Sequence, residues 1–235
     1  MIKTEKQAVF SHLNGQWAPC GLLSLTEDGA QTQGASFAYG TRYMDRANAI
    51  EVDPVALGLK DKSDIKGKEL FPPVGLPLFG GIRDAAPDAW GRRVIESKLK
   101  VPPNSLPESA YLLHAGSDRV GALDVRQNLK SDATVGIAAT HSLQYLIEAA
   151  DRIEEGLPVP ANLEPIFVAG TAIGGARPKA SVRDNDGVLW LAKFSGLREP
   201  INLPWVEYGT LLLAKEAVFW SPPSSLRKLV TALRC

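Results

Sequence analysis

A lysine on an apolar strand, set beside a glycine-rich turn, is equipped to hold an anion. The stretch AGTAIGGARPKASVRDNDGVLWLAKFS, from Ala169 to Ser195, has both parts: Gly170, Gly174 and Gly175 at its front and Lys193 near its end. Glycine leaves backbone N–H groups bare enough for close approach to a negative group, and the lysine adds a full positive charge. A protein-kinase nucleotide clamp is built this way, with loop amides over the phosphates and a strand lysine paired to them. The same residues also fit a plain hairpin with a glycine bulge and a surface lysine. The loop is not a Gly-Lys-Ser/Thr phosphate loop, nor a GxGxxG motif.

These residues need a hairpin to hold them. The apolar run Ile166, Phe167, Val168 leads as an extended segment into the glycine turn, and a second extended run follows. The tight turn Asp184-Asn185-Asp186-Gly187 then reverses the chain, because Asn, Asp and Gly accept left-handed backbone angles. In the closing strand Val188, Trp190, Ala192 and Phe194 share one face; Leu189, Leu191 and Lys193 share the other. Asn202, with Pro204 in the first turn, opens a helix whose buried face is expected to be Leu203, Val206, Thr210, Leu213, Ala214 and Ala217. Glu207 sits near its front.

Upstream, residues 5 to about 55 read as short strands. Turn signals at Asn14-Gly15, Asp28-Gly29 and Gly40 follow apolar runs at roughly ten-residue spacing, the mark of an antiparallel meander. Phe71 to Gly81, FPPVGLPLFGG, is a loop or hinge. A helix is expected from Asp84 to Lys100, with Asp84 as N-cap, Pro87 in the first turn and Asp88 four residues before Arg92. Its stripe is Val94, Ile95 and Leu99. Trp90 and the Arg92-Arg93 pair read as packing and solvated charge rather than a contact surface. A short helix from about Glu108 to His114 ends at Gly116, and Val120, Ala122, Leu123 and Val125 suggest a strand. Asp118 and Arg119 read as residues that hold the turn rather than catalysts. Leu143 to Glu155 is amphipathic, with Leu143, Leu146, Ile147, Ala150 and Ile153 on one face and Gly156-Leu157-Pro158 ending it. Pro158 to Asn162 is the expected boundary before the nucleotide lobe.

Composition excludes several classes. The 26 basic and 26 acidic residues cancel, so no bulk field draws the chain to nucleic acid or to acidic lipid. With 45% hydrophobic and 22% charged residues the chain matches a soluble globular protein of one or two domains. Cys20 and Cys235 have no metal spacing, and His12, His114 and His141 form no ligand cluster, so a reduced, cytoplasmic setting without a structural metal is expected. No signal core or membrane-length apolar run is present.

Three blocks in order carry a family resemblance: DAAPDAWGRR (Asp84 to Arg93), GSDRVGALDVR (Gly116 to Arg126), and GTAIGGARPKA followed by WLAKF. Over roughly residues 5 to 217 the chain resembles the HipA-family serine/threonine kinases, the toxin components of bacterial toxin–antitoxin pairs. The resemblance implies an α+β fold. Residues 1–105 would be a β-rich subdomain with a helix and 106–160 a connecting α/β region. Residues 161–217 would be a partial kinase-like N-lobe, and 218–235 an atypical tail. It also implies ATP with magnesium as cofactors, nucleotide binding by Gly170, Thr171, Gly174, Gly175, Lys193 and Glu207, and a Lys193–Glu207 pair that sets the lysine. A HipB-like DNA-binding antitoxin would be the partner, and proteins such as aminoacyl-tRNA synthetases the substrates.

The departures bear on activity. The last aspartate is Asp186, and only Glu199, Glu207 and Glu216 follow Lys193 as acids. No catalytic or metal-binding residue is therefore assigned, because phosphoryl transfer needs an aspartate base and a metal-holding aspartate. The expectation is a chain that ends before the catalytic lobe and is inactive by itself. Ala172 stands where some family members carry a regulatory serine. The acid-free tail VFWSPPSSLRKLVTALRC, the kind of end a frame change would produce, is expected to be poorly ordered or to stick to a partner, leaving Leu211, Leu212, Val218, Phe219 and Trp220 bare. The reading from another class is a non-catalytic module that binds an antitoxin or a sibling protein.

Overall fold

The structure is a computed structural model that describes residues 1–119, 121–134, 143–164, 166–169, 175–184, 186, 188–217, 219–220, 224–227 and 230–234. In chain order the strands are β1 (Ile2–Leu13), β2 (Gln16–Asp28), β3 (Gln31–Tyr39), β4 (Leu123–Arg126), β5 (Lys179–Arg183), β6 (Leu189–Lys193), β7 (Ser224–Arg227) and β8 (Val230–Arg234). The helices are α1 (Thr41–Met44), α2 (Lys62–Ile65), α3 (Gly80–Asp84), α4 (Ala89–Leu99), α5 (Glu108–His114), α6 (Leu143–Glu155), α7 (Ile166–Ala169) and α8 (Leu203–Glu216). The contacts divide the chain into two units. One is Met1–Pro87 with Val101–Thr134, and the other is Asp88–Lys100 with Val135–Cys235. The boundary expected at Pro158 to Asn162 lies inside the second unit.

The first unit is organised on an antiparallel sheet of order β3-β2-β1-β4. Its turns fall where Asn14-Gly15 and Asp28-Gly29 place them. Asn14 (φ 49°) and Gly15 (φ 83°) both take left-handed angles between the paired Leu13 and Gln16, which gives the twist a two-residue hairpin needs. The strands are longer than the expected short runs. β1 continues past a bulge at which Val9 pairs with Gly21 and Phe10 with Pro19, leaving Cys20 as the extra residue. Pro19 has no N–H to donate, so a bulge is where this strand tolerates it. Gly21 has no alternative either: a Cβ there would run into the Phe37 ring and the Ala38 carbonyl. The core gathers Val9, Leu23, Leu25, Phe37, Leu57, Phe79 and Leu112, all buried.

Polar anchors tie loops to this core. Arg119 is buried, as the turn-holding reading expects. It donates to the carbonyls of Gly116 (2.7 Å), Ala85 (2.9 Å) and Leu112 (2.5 Å) and pairs with Asp124 at 3.2 Å. Asp53, 4% exposed, accepts from the backbone N–H groups of Val55 (2.8 Å), Ala56 (2.9 Å) and Gly81 (3.0 Å). Burial by itself would raise the Asp53 pKa; the N–H groups around the carboxylate outweigh it, and the net shift is downward.

The expected single helix from Asp84 to Lys100 is two. α3 ends at Asp84, and α4 begins only after Asp88, because Pro87 disfavours helical angles in the residue before it. Gly80 and Gly81, expected in the loop, already belong to α3. Val94 and Ile95 are buried as expected, and Trp90 is 0% exposed. α5 and α6 have the expected bounds, and Gly116 (φ 76°) and Gly156 (φ 71°) take the left-handed angles that close them.

In the second unit the expected hairpin is β5 and β6, antiparallel, within a sheet of order β5-β6-β8-β7. Ala180, Ala192 and Phe194 point into a core with Trp90, Val94, Leu146, Ala149, Ala150, Ile153, Leu163 and Ile166. The run at Ile166 is not extended but forms the short helix α7, whose Ile166 joins this core. The tail differs from expectation as well: β8 pairs with β6 from Trp190↔Arg234 to Lys193↔Thr231, so this segment extends the sheet. The largest departure is α8. Asn202 caps it by accepting from the Trp205 N–H at 3.1 Å, but Pro204 is its one buried residue. Of the face expected to be buried, Val206 is 53% and Leu213 73% exposed, because the side of α8 that is partly covered runs instead through Leu203, Glu207, Leu211 and Ala214. Leu212, Phe219 and Trp220 are exposed as expected, whereas Leu211 is half-buried; Val218 lies outside the described residues.

Asp53→Ala should leave three backbone donors without their acceptor and lower the first unit's unfolding free energy by on the order of 3 kcal/mol. A carboxylate whose folded pKa is depressed stabilises fully above its unfolded value of 3.8 and loses that contribution as pH falls through the folded value. Urea titrations should therefore show a gap between wild type and variant that is constant from about pH 7 to 5 and narrows below about pH 4.

Candidate anion-binding cleft of the second unit

Hairpin register decides what the cleft contains. β5 and β6 pair Lys179 with Lys193, Ala180 with Ala192, Ser181 with Leu191 and Val182 with Trp190. Residues two apart share a face, so the side whose neighbours Ala180 and Ala192 fill the core leaves both lysines together on the other side. The turn is closed by Asp184. Its N–H donates to the Val188 carbonyl (3.0 Å), and its carboxylate accepts from the N–H groups of Asp186 (3.0 Å) and Val188 (2.9 Å) and from Trp190 Nε1 (2.7 Å).

Lys193 Nζ forms an ion pair with Glu207 Oε1 on the first turns of α8, with side chains 27% and 36% exposed. At that exposure the pair adds little stability, typically under about 1 kcal/mol, and its consequence is directional: it points the ammonium along the cleft. The cleft encloses about 570 Å³ and is lined by Gly175, Arg177, Lys179, Lys193, Pro204 and Glu207, among others. Arg177 Nε is held at 2.7 Å by Glu199, whose other oxygen accepts from the Gly196 N–H at 3.1 Å.

Of the residues expected from sequence, Gly175, Lys193 and Glu207 line one cleft. Gly170, Thr171 and Gly174, with Ala172, lie outside the described residues. Lys179 was missed. It is 8% exposed, and its Nζ stands where a Cβ on Gly175 would be; the left-handed angle of Gly175 (φ 105°) is what favours glycine at that position. Burial lowers its pKa most, followed by the charge of Lys193 opposite, while Asp88 and Glu207 act to raise it. Like charges directly opposite on a sheet destabilise it, so this pair raises the free energy of the empty cleft and lowers that of an anion-filled one. Counting register back from the four-residue turn read in the sequence would set Lys179 opposite Ala192, so the sequence carried no signal for it; the pairing of Asp184 with Val188 is what brings it opposite Lys193.

Magnesium fits these residues poorly. Among the described residues no group of three or more His, Cys, Asp or Glu is placed to hold a metal ion, and the cleft's own carboxylate at Glu207 is engaged by Lys193. Among the described residues, too, no helix is long and apolar enough to cross a membrane.

Because Lys179 releases its proton more readily than an ordinary lysine, an anion held against it should favour the protonated form and cause proton uptake in alkaline solution. Tripolyphosphate affinity should decline as pH rises from about 7 to about 10, and the decline should be much reduced in Lys179→Met. Calorimetry across that range checks this; an affinity independent of pH in the wild-type protein would contradict it. In the comparison with known proteins, no family model matches the chain and no curated protein matches its sequence.

Proposed function

We propose that the second unit is a nucleotide-phosphate clamp of the protein-kinase type, with ATP, the nucleotide implied by the HipA-like motifs, as its ligand. The observation that carries this reading is the Lys193–Glu207 ion pair, joining a strand lysine to a helix glutamate at the edge of a cleft. In kinases that pairing sets the lysine against the phosphates. Lys179 supplies a second cation on the same face, and the size of the cleft suits a nucleotide's phosphate end.

On this reading the lineage is a HipA-like serine/threonine kinase, with a HipB-like antitoxin as partner and proteins such as aminoacyl-tRNA synthetases as the family's substrates. Binding is separate from transfer. No aspartate follows Asp186 within these 235 residues, so none after Lys193 is available to orient an attacking hydroxyl. A second reading, an interaction module without chemistry, is favoured by α8, where Trp205, Val206 and Leu213 are each more than half exposed.

Calorimetry should find ATP bound weakly, with a dissociation constant of roughly 100 μM or more, and weaker by about tenfold in Lys193→Met. Incubation with labelled ATP and magnesium should leave protein substrates unlabelled. Binding that is unchanged in Lys193→Met would remove the clamp and leave the interaction module; lysine-dependent labelling would show that the chain is catalytically competent.

A further inference from the structure

The N-terminus of α4 uses its capping residue on another segment. Asp88 has the extended geometry of an N-cap (φ −76°, ψ −176°), yet its side chain makes no capping bond to its own helix. Instead Asp88 Oδ2 accepts from the Gly175 N–H at 2.5 Å, 87 residues away. The exchange is reciprocal, because the Gly175 carbonyl accepts from the Trp90 N–H at 3.0 Å, a donor that the helix start leaves without an intrahelical partner. A third bond runs from Trp90 Nε1 to the Lys179 carbonyl at 2.8 Å, with the indole fully buried. Both ends of the turn from Gly175 to Lys179 are thus fastened to the start of α4, at its N-cap Asp88 and its second residue Trp90. The Lys179 ammonium lies over Gly175, whose left-handed angle (φ 105°) favours glycine.

We propose that Asp88 and Trp90 are positioning residues of the phosphate clamp, fixing the Gly175–Lys179 turn so that the Lys179 ammonium stands beside Lys193 in the cleft. The inference rests on the clamp reading and adds the device that shapes the clamp. Neither residue touches the ligand. Asp88 acts through the Gly175 amide and Trp90 through the Lys179 carbonyl, so a turn released at either end lets the lysine swing away from its like-charged neighbour.

The test pairs a backbone measurement with a binding measurement on the 235-residue protein, using tripolyphosphate as probe. In Asp88→Ala the Gly175 amide should lose its protection from hydrogen exchange and the probe should bind about tenfold more weakly, the scale of a lost bond to a charged acceptor. Asp88→Asn, which keeps an acceptor for the amide, should restore both to within about threefold of wild type. Trp90→Phe keeps the ring in the core but removes the bond to Lys179, and should weaken the probe by a smaller factor; it carries the test should Asp88→Ala lose its melting transition. The two losses must occur together, and either without the other overturns the positioning role. A wild-type protein that protects the Gly175 amide but binds no tripolyphosphate overturns the clamp reading itself, and the positioning role with it.

Discussion

The register of one hairpin is the constraint on which the second unit depends. With Lys179 opposite Lys193, the two ammonium groups share the outer face, and Ala180, Ala192 and Phe194 fill the core. A slip of one residue would turn a strand's whole set of side chains over, driving a lysine among apolar side chains and an alanine out to solvent. Desolvating an unpaired ammonium costs several kcal/mol or more, so that slip is strongly opposed. Asp184 secures the register at the turn, and Gly175 with its α4 partners secures it at the open end. A polar cleft and a dry core are thus consequences of the same pairing.

The first unit solves a different problem by similar means. The long strands β1, β2 and β3 supply a large apolar core, and the loops that return across it bring backbone groups that must be satisfied. Arg119 and Asp53 do this as hubs, one donating to at least three carbonyls and the other accepting from at least three amides. Each charge is compensated where it is buried, Arg119 by Asp124 and Asp53 by oriented N–H dipoles. Loops fastened in this way need little regular structure of their own.

Helix α8 contributes a directed carboxylate more than core. Its first turn is fixed by Asn202 and by the buried Pro204, and Glu207 on the next turn reaches Lys193. Beyond that, Leu212 and Leu213 face solvent while Leu211 and Ala214 are half-buried, so the far turns draw only part of the stability that a covered face would give. Local opening free energies should fall along the helix from its capped end, leaving the end that carries Glu207 the more persistent.

Local chemistry was legible in the sequence by itself. Asn14-Gly15 and Asp28-Gly29 place the meander's turns, Glu108 to His114 and Leu143 to Glu155 show their helices with correct bounds, and Asn202 with Pro204 marks the start of α8. Such signals act within a few residues and need no knowledge of partners. The Lys193–Glu207 pair was legible through motif resemblance and is present as geometry. What only the tertiary structure decided depended on distant neighbours. Lys179 joins the cleft because Asp184 pairs with Val188 across a three-residue loop; read as a tight four-residue turn, the same sequence would set Lys179 opposite Ala192, on the core face. Asp88 reads as an i,i+4 partner of Arg92 inside a helix capped by Asp84; in the structure it stands at the N-cap of α4, and Gly175, 87 residues on, takes its carboxylate. The α8 stripe was visible as periodicity, but periodicity states only that a face is apolar. Whether anything covers that face is decided by packing, and in the described residues most of it is left uncovered.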